Sequence, residues 1–196
     1  MKDSGRKIYT GIGDKGQTRL LSGDTVEKDD VRVMCYGALD ELQSHLGMAR
    51  AVVCSGRVRE ILHGVQKDLF VAGAELASTP VTLSRLKKRI DRGERERLER
   101  QIDEMTAKYG LPGSFVTPGR SVESAALHVA RSVCRRCERL VAGINRETGD
   151  YPLLLVYLNR LSDLLFVLAW SLEVRAIIEE VFRDVLNGCP VKGEIS

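Results

Sequence analysis

Proline is scarce, with five in 196 residues, and that excludes long proline-rich or disordered tracts. Histidine is scarcer still: His45, His63 and His128 are the only three. A ferritin-like di-iron site needs two Glu-x-x-His motifs and two further carboxylates. Glu60-Ile61-Leu62-His63 supplies one such motif, and His45 and His128 lack the spacing for another. All three histidines read as ordinary helix-surface or core residues. An apolar run long enough for a membrane is also missing. The most apolar stretch, Leu153 to Trp170, is interrupted by Asn159, Arg160 and Asp163, groups that a span of roughly 20 residues does not carry cheaply. No apolar segment follows the charged start Met1-Lys2-Asp3-Ser4-Gly5-Arg6-Lys7, so no secretory signal is expected. Five cysteines (Cys35, Cys54, Cys134, Cys137 and Cys189) make an odd number, which fits free thiols in a reducing, cytoplasmic setting. A net charge of +3 is too small an excess to imply nucleic acid.

What remains is ordinary globular material, 43% hydrophobic and 29% charged. At this length folding removes about 70% of the unfolded chain's surface from water, enough for a self-sufficient core. No repeat or low-complexity tract breaks the chain, and one domain over 1–196 is expected. Residues 1–30 are rich in turn formers and read as an irregular segment with short extended pieces. From 31 to 185 helical spacing takes over, and 186–196 is a tail.

Five helices are predicted: Val31 to Cys54, Arg57 to Ala77, Gly93 to Tyr109, Ser121 to Ile144 and Leu153 to Val185. Ser78 to Lys88 is a connection. Gly110-Leu111-Pro112-Gly113 and Pro118-Gly119 mark turns. The fold class is all-α, a five-helix up-and-down bundle with an irregular glycine-rich N-terminal segment.

At about 100° per residue, Val122, Ala126, Val129, Val133, Cys137 and Leu140 form the expected core stripe of the fourth helix. Arg131, Arg135 and Glu138 fall on the other side. By pattern alone the commoner arrangement is a solvated face with i,i+4 pairing. The last helix weighs against it. Its core face is Leu161, Leu164, Leu165, Leu168 and Leu172, yet Asn159, Asp163, Phe166 and Trp170 line its far side. A helix with aromatic groups on its second face has a second partner: another subunit, a flat ligand, or both.

Thr10-Gly11-x-Gly13-Asp14-x-Gly16-x-Thr18 offers glycines that bring successive N–H groups around an anion. Lys15, Arg19 and Lys28 add positive charge nearby. Taken alone this is more commonly a plain turn, and it matches neither the Walker A nor the dinucleotide pattern. It does not stand alone. Ile8-Tyr9-Thr10-Gly11-Ile12-Gly13-Asp14-Lys15-Gly16, Lys28-Asp29-Asp30, Tyr36-Gly37-Ala38-Leu39-Asp40-Glu41-Leu42, Arg131 to Arg139, and Tyr157-Leu158-Asn159-Arg160-Leu161-Ser162-Asp163 follow in order. Together, over about residues 6 to 170, they resemble the PduO-type ATP:cob(I)alamin adenosyltransferases.

That resemblance implies a homotrimer with active sites between subunits. It implies transfer of the 5′-deoxyadenosyl group of ATP to the cobalt of a reduced corrinoid, with release of triphosphate. ATP contacts would map onto Thr10, Gly11, Ile12, Gly13, Thr18, Arg19, Lys28, Arg135, Arg136, Cys137, Glu138, Arg139 and Asn159. Asp40 would pair with Arg131 of a neighbouring chain. Phe115, with Phe166 nearby and Asp163 on the same side, would meet the corrinoid and displace its lower ligand. Co(I) is itself the nucleophile, so the protein's task is positioning and stabilising the leaving triphosphate. Arg135 is the expected centre of that work, and Glu138 would orient it or approach Mg²⁺ through water. A flavin reductase and an adenosylcobalamin-dependent enzyme are implied partners; nucleic acid and membrane are not. A non-catalytic corrinoid carrier or ATP-binding partner of the same fold is the alternative.

This chain departs from the family at three points: Arg120 stands where a second glycine usually follows Pro-Gly, Gln43 replaces a common Asn, and Trp170 replaces a usual Arg. The tail from about Val174 does not match. Cys134-x-x-Cys137 lacks a second pair and places Cys137 in the core stripe, so buried thiols are expected, not zinc. The basic stretch Arg85 to Arg100 alternates with Asp91, Glu94, Glu96 and Glu99 and reads as a solvated helix face.

Overall fold

Asp30 ends the irregular stretch by capping the first helix, its carboxylate accepting from the Arg32 N–H at 2.8 Å and satisfying one of the orphan donors there. In the computed structural model, which describes Tyr9 and residues 11–188, α1 then runs Val31–Val52. Ser55 caps α2, Gly56–Leu76. A single turn, α3 (Pro80–Leu83), lies in the segment expected to be a plain connection. Asp91 and Glu94 form a reciprocal capping box at the start of α4, Arg92–Tyr109, and Ser121 with Ser124 does the same for α5, Val122–Thr148. Pro152 opens α6, Pro152–Leu186, at the helical position where its missing N–H costs nothing. The five expected helices are present with ends shifted by a few residues, and the short α3 makes a sixth.

The helices pack in the spatial order α2, α1, α5, α6, α4. The ring is closed where α2 meets α4 through the ion pairs Asp68–Arg97 and Glu104–Arg57. Leu39, Leu42, Leu62, Leu127, Leu158, Leu161, Leu165 and Leu168 fill the centre, each almost fully buried, and burial of such a side chain contributes about 1.5–3 kcal/mol. By length and composition α6 is apolar enough to cross a membrane, yet 56% of its most apolar window is buried inside the bundle. It is the core helix, flanked by α5 and α4.

One expected stripe is corrected. Val122 and Val129 are exposed and Leu140 is only half-buried. The buried side of α5 is instead Ala126, Leu127, Ala130, Val133, Cys134, Cys137, Val141 and Ile144, a rotation of about 60° from the expected centre. The cause is that α5 lies between two neighbours, so its buried arc bisects them. Cys137 Sγ donates to the Ala38 carbonyl on α1 at 3.0 Å, and Cys134 Sγ donates to the Leu158 carbonyl on α6 at 3.4 Å. Burial pushes the Cys137 thiol up to about 12 and the Cys134 thiol well above its ordinary value. Both are inert packing groups.

Candidate functional site

The glycine-rich start folds as a 3₁₀ turn, Ile12–Lys15, flanked by Gly11 at φ 72° and Gly16 at φ 82°. Both lie in the left-handed region where a side chain is strained. A two-stranded antiparallel hairpin follows, β1 (Gln17–Arg19) with β2 (Thr25–Glu27), in which Thr18 faces Val26 and Arg19 faces Thr25. The Lys28 N–H donates to the Gly16 carbonyl at 2.8 Å. A β-carbon placed on Gly13 would lie 3.2 Å from Lys28 Nζ. The ammonium therefore rests directly on the turn, and the turn's lack of side chains is what lets it approach. The Leu21 N–H to Ala77 carbonyl bond, 3.1 Å, fixes the hairpin to the end of α2. Thr10 lies outside the described residues, and so does the side chain of Ile12.

On α5 Arg135 and Arg139 are exposed, and Arg131, Arg136 and Glu138 are half-buried. Arg136 is ion-paired with Glu41 of α1, above an open groove of about 370 Å³ that includes Ser132, Val133 and Arg139. Arg131 Nε is buried with no hydrogen-bond partner. Asp40, on the exposed side of α1, makes no side-chain hydrogen bond or ion pair among the described residues.

Glu138 makes no hydrogen bond or ion pair with Arg135 among the described residues. Its carboxylate accepts from Asn159 Nδ2 at 3.0 Å, and Asn159 Oδ1 accepts from Arg160 at 2.8 Å. Arg160 also reaches Glu99 of α4 at 3.1 Å and Asp163 at 3.5 Å. Thus Glu138, Asn159 and Asp163 form one polar patch across the α5–α6 seam, beside the arginine face. Cys137 is withdrawn from the ligand-facing set because its side chain is fully buried against α1.

The segment between α4 and α5 carries Phe115 with its ring wholly exposed. Beneath it lies a recess of about 550 Å³, walled by Pro112, Phe115, Arg120, Trp170, Glu173 and Ile177 among others. Arg120 reaches Glu180 of α6 at 2.9 Å, tying this segment to the far end of the long helix. Within one chain the structure does not gather Phe115, Phe166 and Asp163. Asp163 belongs to the polar patch, and Phe166 packs edge-on against His128, ring centres 6.2 Å apart. Trp170 and Glu173 line the recess instead. Sequence reasoning missed Glu173, whereas His128 is buried as an ordinary core residue. The signal was present: Phe166, Trp170, Glu173 and Ile177 are spaced four, three and four apart, which is one helical face.

The model of the family described as cobalamin adenosyltransferase matches residues 8–172. A corrinoid adenosyltransferase of Citrobacter freundii is 45% identical over 179 residues, covering 91% of this chain and 98% of that protein. Corrinoid adenosyltransferase PduO of Salmonella typhimurium is 37% identical over 93% of this chain, which spans 55% of that longer protein. Among solved structures, a single-residue variant of the PduO-type ATP:corrinoid adenosyltransferase from Lactobacillus reuteri, complexed with cobalamin and ATP, superposes with a TM-score of 0.79. It shares 35% sequence identity, over 89% of this chain and 96% of that one. Glycine turn, arginine-bearing α5, Asn159 patch and matched length agree, and the chain belongs to the cobalamin adenosyltransferase family.

Proposed function

We propose that the protein transfers the 5′-deoxyadenosyl group of ATP to the cobalt of cob(I)alamin, giving adenosylcobalamin and triphosphate. The carrying observation is the face on which Arg131, Arg135, Glu138 and Asn159 converge, in a chain of this family. In the reaction the Co(I) electron pair attacks the ribose C5′, the C5′–O bond breaks, and its electrons leave with the triphosphate. No protein base or nucleophile is required. Arg135 and Lys28, with the amides of the glycine turn, stabilise charge gathering on the leaving group. Gly11, Ile12, Gly13, Thr18 and Arg19 cradle the phosphates with Thr10, and Arg139 and Asn159 hold the nucleotide. Arg136 joins them by exchanging Glu41 for a phosphate. ATP enters as its Mg²⁺ complex.

The active unit is a homotrimer. Asp40 without a side-chain partner and Arg131 with a buried, unbonded Nε each supply what the other lacks, and a second copy brings them together. The same contact sets the glycine turn of one chain, fixed to α2, against the arginine face of α5 in the next. Phe115 presses on the lower face of the corrin. Free thiols at Cys35, Cys54, Cys134 and Cys137 suit a cytoplasmic setting. A flavin reductase would supply the electron that makes Co(I), and an adenosylcobalamin-dependent enzyme would take the product.

The test is anaerobic mixing with reduced cobalamin and Mg-ATP, following the visible spectrum and phosphate products. Adenosylcobalamin with one triphosphate per turnover is expected. A spectral shift without triphosphate would make the chain a non-catalytic corrinoid carrier or ATP-binding partner instead.

A further inference from the structure

We propose that Trp170 and Glu173 form a carboxamide subsite in the recess beneath Phe115, which holds one of the primary amide side chains on the corrin rim. The proposal rests on the corrinoid reading above and extends it to Glu173, which lies just past the end of the family match at residue 172.

The observations are four polar atoms of α5 and α6 buried without hydrogen-bond partners: Trp170 Nε1, Glu173 Oε1 and both ring nitrogens of His128. Glu173 is 3% exposed and His128 5%. Their closest approach, His128 Nε2 to Glu173 Oε1, is 3.5 Å, within ion-pair range but not aligned as a hydrogen bond. Burial, opposed by Glu173 and reinforced by Arg131, holds the imidazole below its ordinary value, so His128 does not neutralise the carboxylate. Leaving a buried donor or acceptor unmatched is destabilising, and native interiors rarely leave several such atoms. Trp170 and Glu173 also both line the recess.

The two groups are complementary in kind. The indole N–H only donates and a carboxylate oxygen accepts. One turn of α6 separates them, on the same face. A primary carboxamide offers a carbonyl to the indole and an N–H to the carboxylate, and cobalamin carries several such amides around its ring. A carboxylate in the amide's place would meet Glu173 as a like group. Recognition of this sort discriminates strongly, because the wrong ligand leaves the site's buried polar groups unpaired.

The experiment compares cob(I)alamin with the set of cobalamins in which a single side-chain amide is hydrolysed to a carboxylate, using the full chain and saturating Mg-ATP. At least one member of the set is expected to raise the corrinoid KM about tenfold or more with the unmodified protein. KM for ATP should stay the same. Glu173→Gln should bring that penalty within about threefold, and Trp170→Phe, which keeps the ring but loses the N–H, should raise KM for intact cobalamin several-fold. Wild-type KM values and unchanged discrimination in both variants, with turnover intact, would show that the cavity holds water only and would overturn the subsite. No turnover and no cobalamin binding by the unmodified chain would instead remove the corrinoid reading itself, and that arm is measured separately.

Discussion

Where α2 meets α4 and α6, Asp68 accepts a 2.8 Å hydrogen bond from the buried Tyr157 hydroxyl and pairs with Arg97. Nearby, Glu75 takes Arg89 at 3.1 Å and the Ile90 N–H. Where α5 meets the outer half of α6, the buried His128 and Glu173 and the half-buried Trp170 carry buried polar atoms that make no hydrogen bond. The two regions use the same kinds of side chain in one bundle. The first is closed and holds helices together; the second is open toward a recess and toward α5's arginine face. In the first region the buried carboxylates are matched within the chain, and in the second they are not.

Three measurements break or sharpen this contrast. The largest effect is expected on the open side, in activity alone. Arg135→Ala should lower the rate of triphosphate release by about 10²–10³-fold, the loss typical of a charge-stabilising donor. Its exposed position should leave helical content and the unfolding midpoint unchanged; activity within a few-fold of wild type would remove it from the chemical step. Next, Asp68→Asn on the closed side should cost about 2–3 kcal/mol in urea unfolding, because Arg97 loses its counter-charge in a half-buried setting. Glu173→Gln should shift stability by less than about 1 kcal/mol, since no matched bond is lost. Equal losses in the two would erase the distinction between the regions.

The smallest effect is in pH. Burial pushes the Glu94 carboxyl upward, but Lys88 and the Asp91 N–H outweigh it and hold it down at about 2. Its folded value is thus below its unfolded one, near 4.5, so its contribution is complete above pH 4.5 and is lost as pH falls toward 2. His128, also held below its ordinary value, removes stability as pH falls below about 6.5. Asp68 and Glu75 are raised by burial and act in the opposite sense. Unfolding midpoints recorded from pH 7 to 2 should fall in two stages, and Glu94→Gln should flatten the lower one; an unchanged lower stage would mean that the Lys88–Glu94 contact does not stabilise the fold.

Helix periods and turn residues made the bundle legible in the sequence. Asp30, Ser55, Asp91 and Ser121 each precede a helix that starts within two residues of its expected place. The α5 face was harder. A wheel finds the most apolar side, whereas burial follows the direction midway between two neighbours, so Val122 and Val129 were placed inward and Leu127 and Cys134 overlooked. In the candidate site, ordered motifs picked out the arginine face and glycine turn. They were silent on which groups are already engaged: Glu138 with Asn159, Arg136 with Glu41. Those depend on contacts between helices far apart in the chain. Trp170 was noticed as a departure, but its link with Glu173 and His128 needs the packing of α5 on α6 to be known.

The 35 residues of α6 form one unbroken rod. Asn159 and Glu173, fourteen positions apart, are therefore separated by about 21 Å along its axis, a spacing fixed by hydrogen-bonded pitch instead of by loops. Inserting a single residue between them would swing the recess wall by about 100° relative to the polar patch. The helix thus serves as a ruler and a protractor together, and evolution can retune either end by substitution but not by changing the count of residues in between.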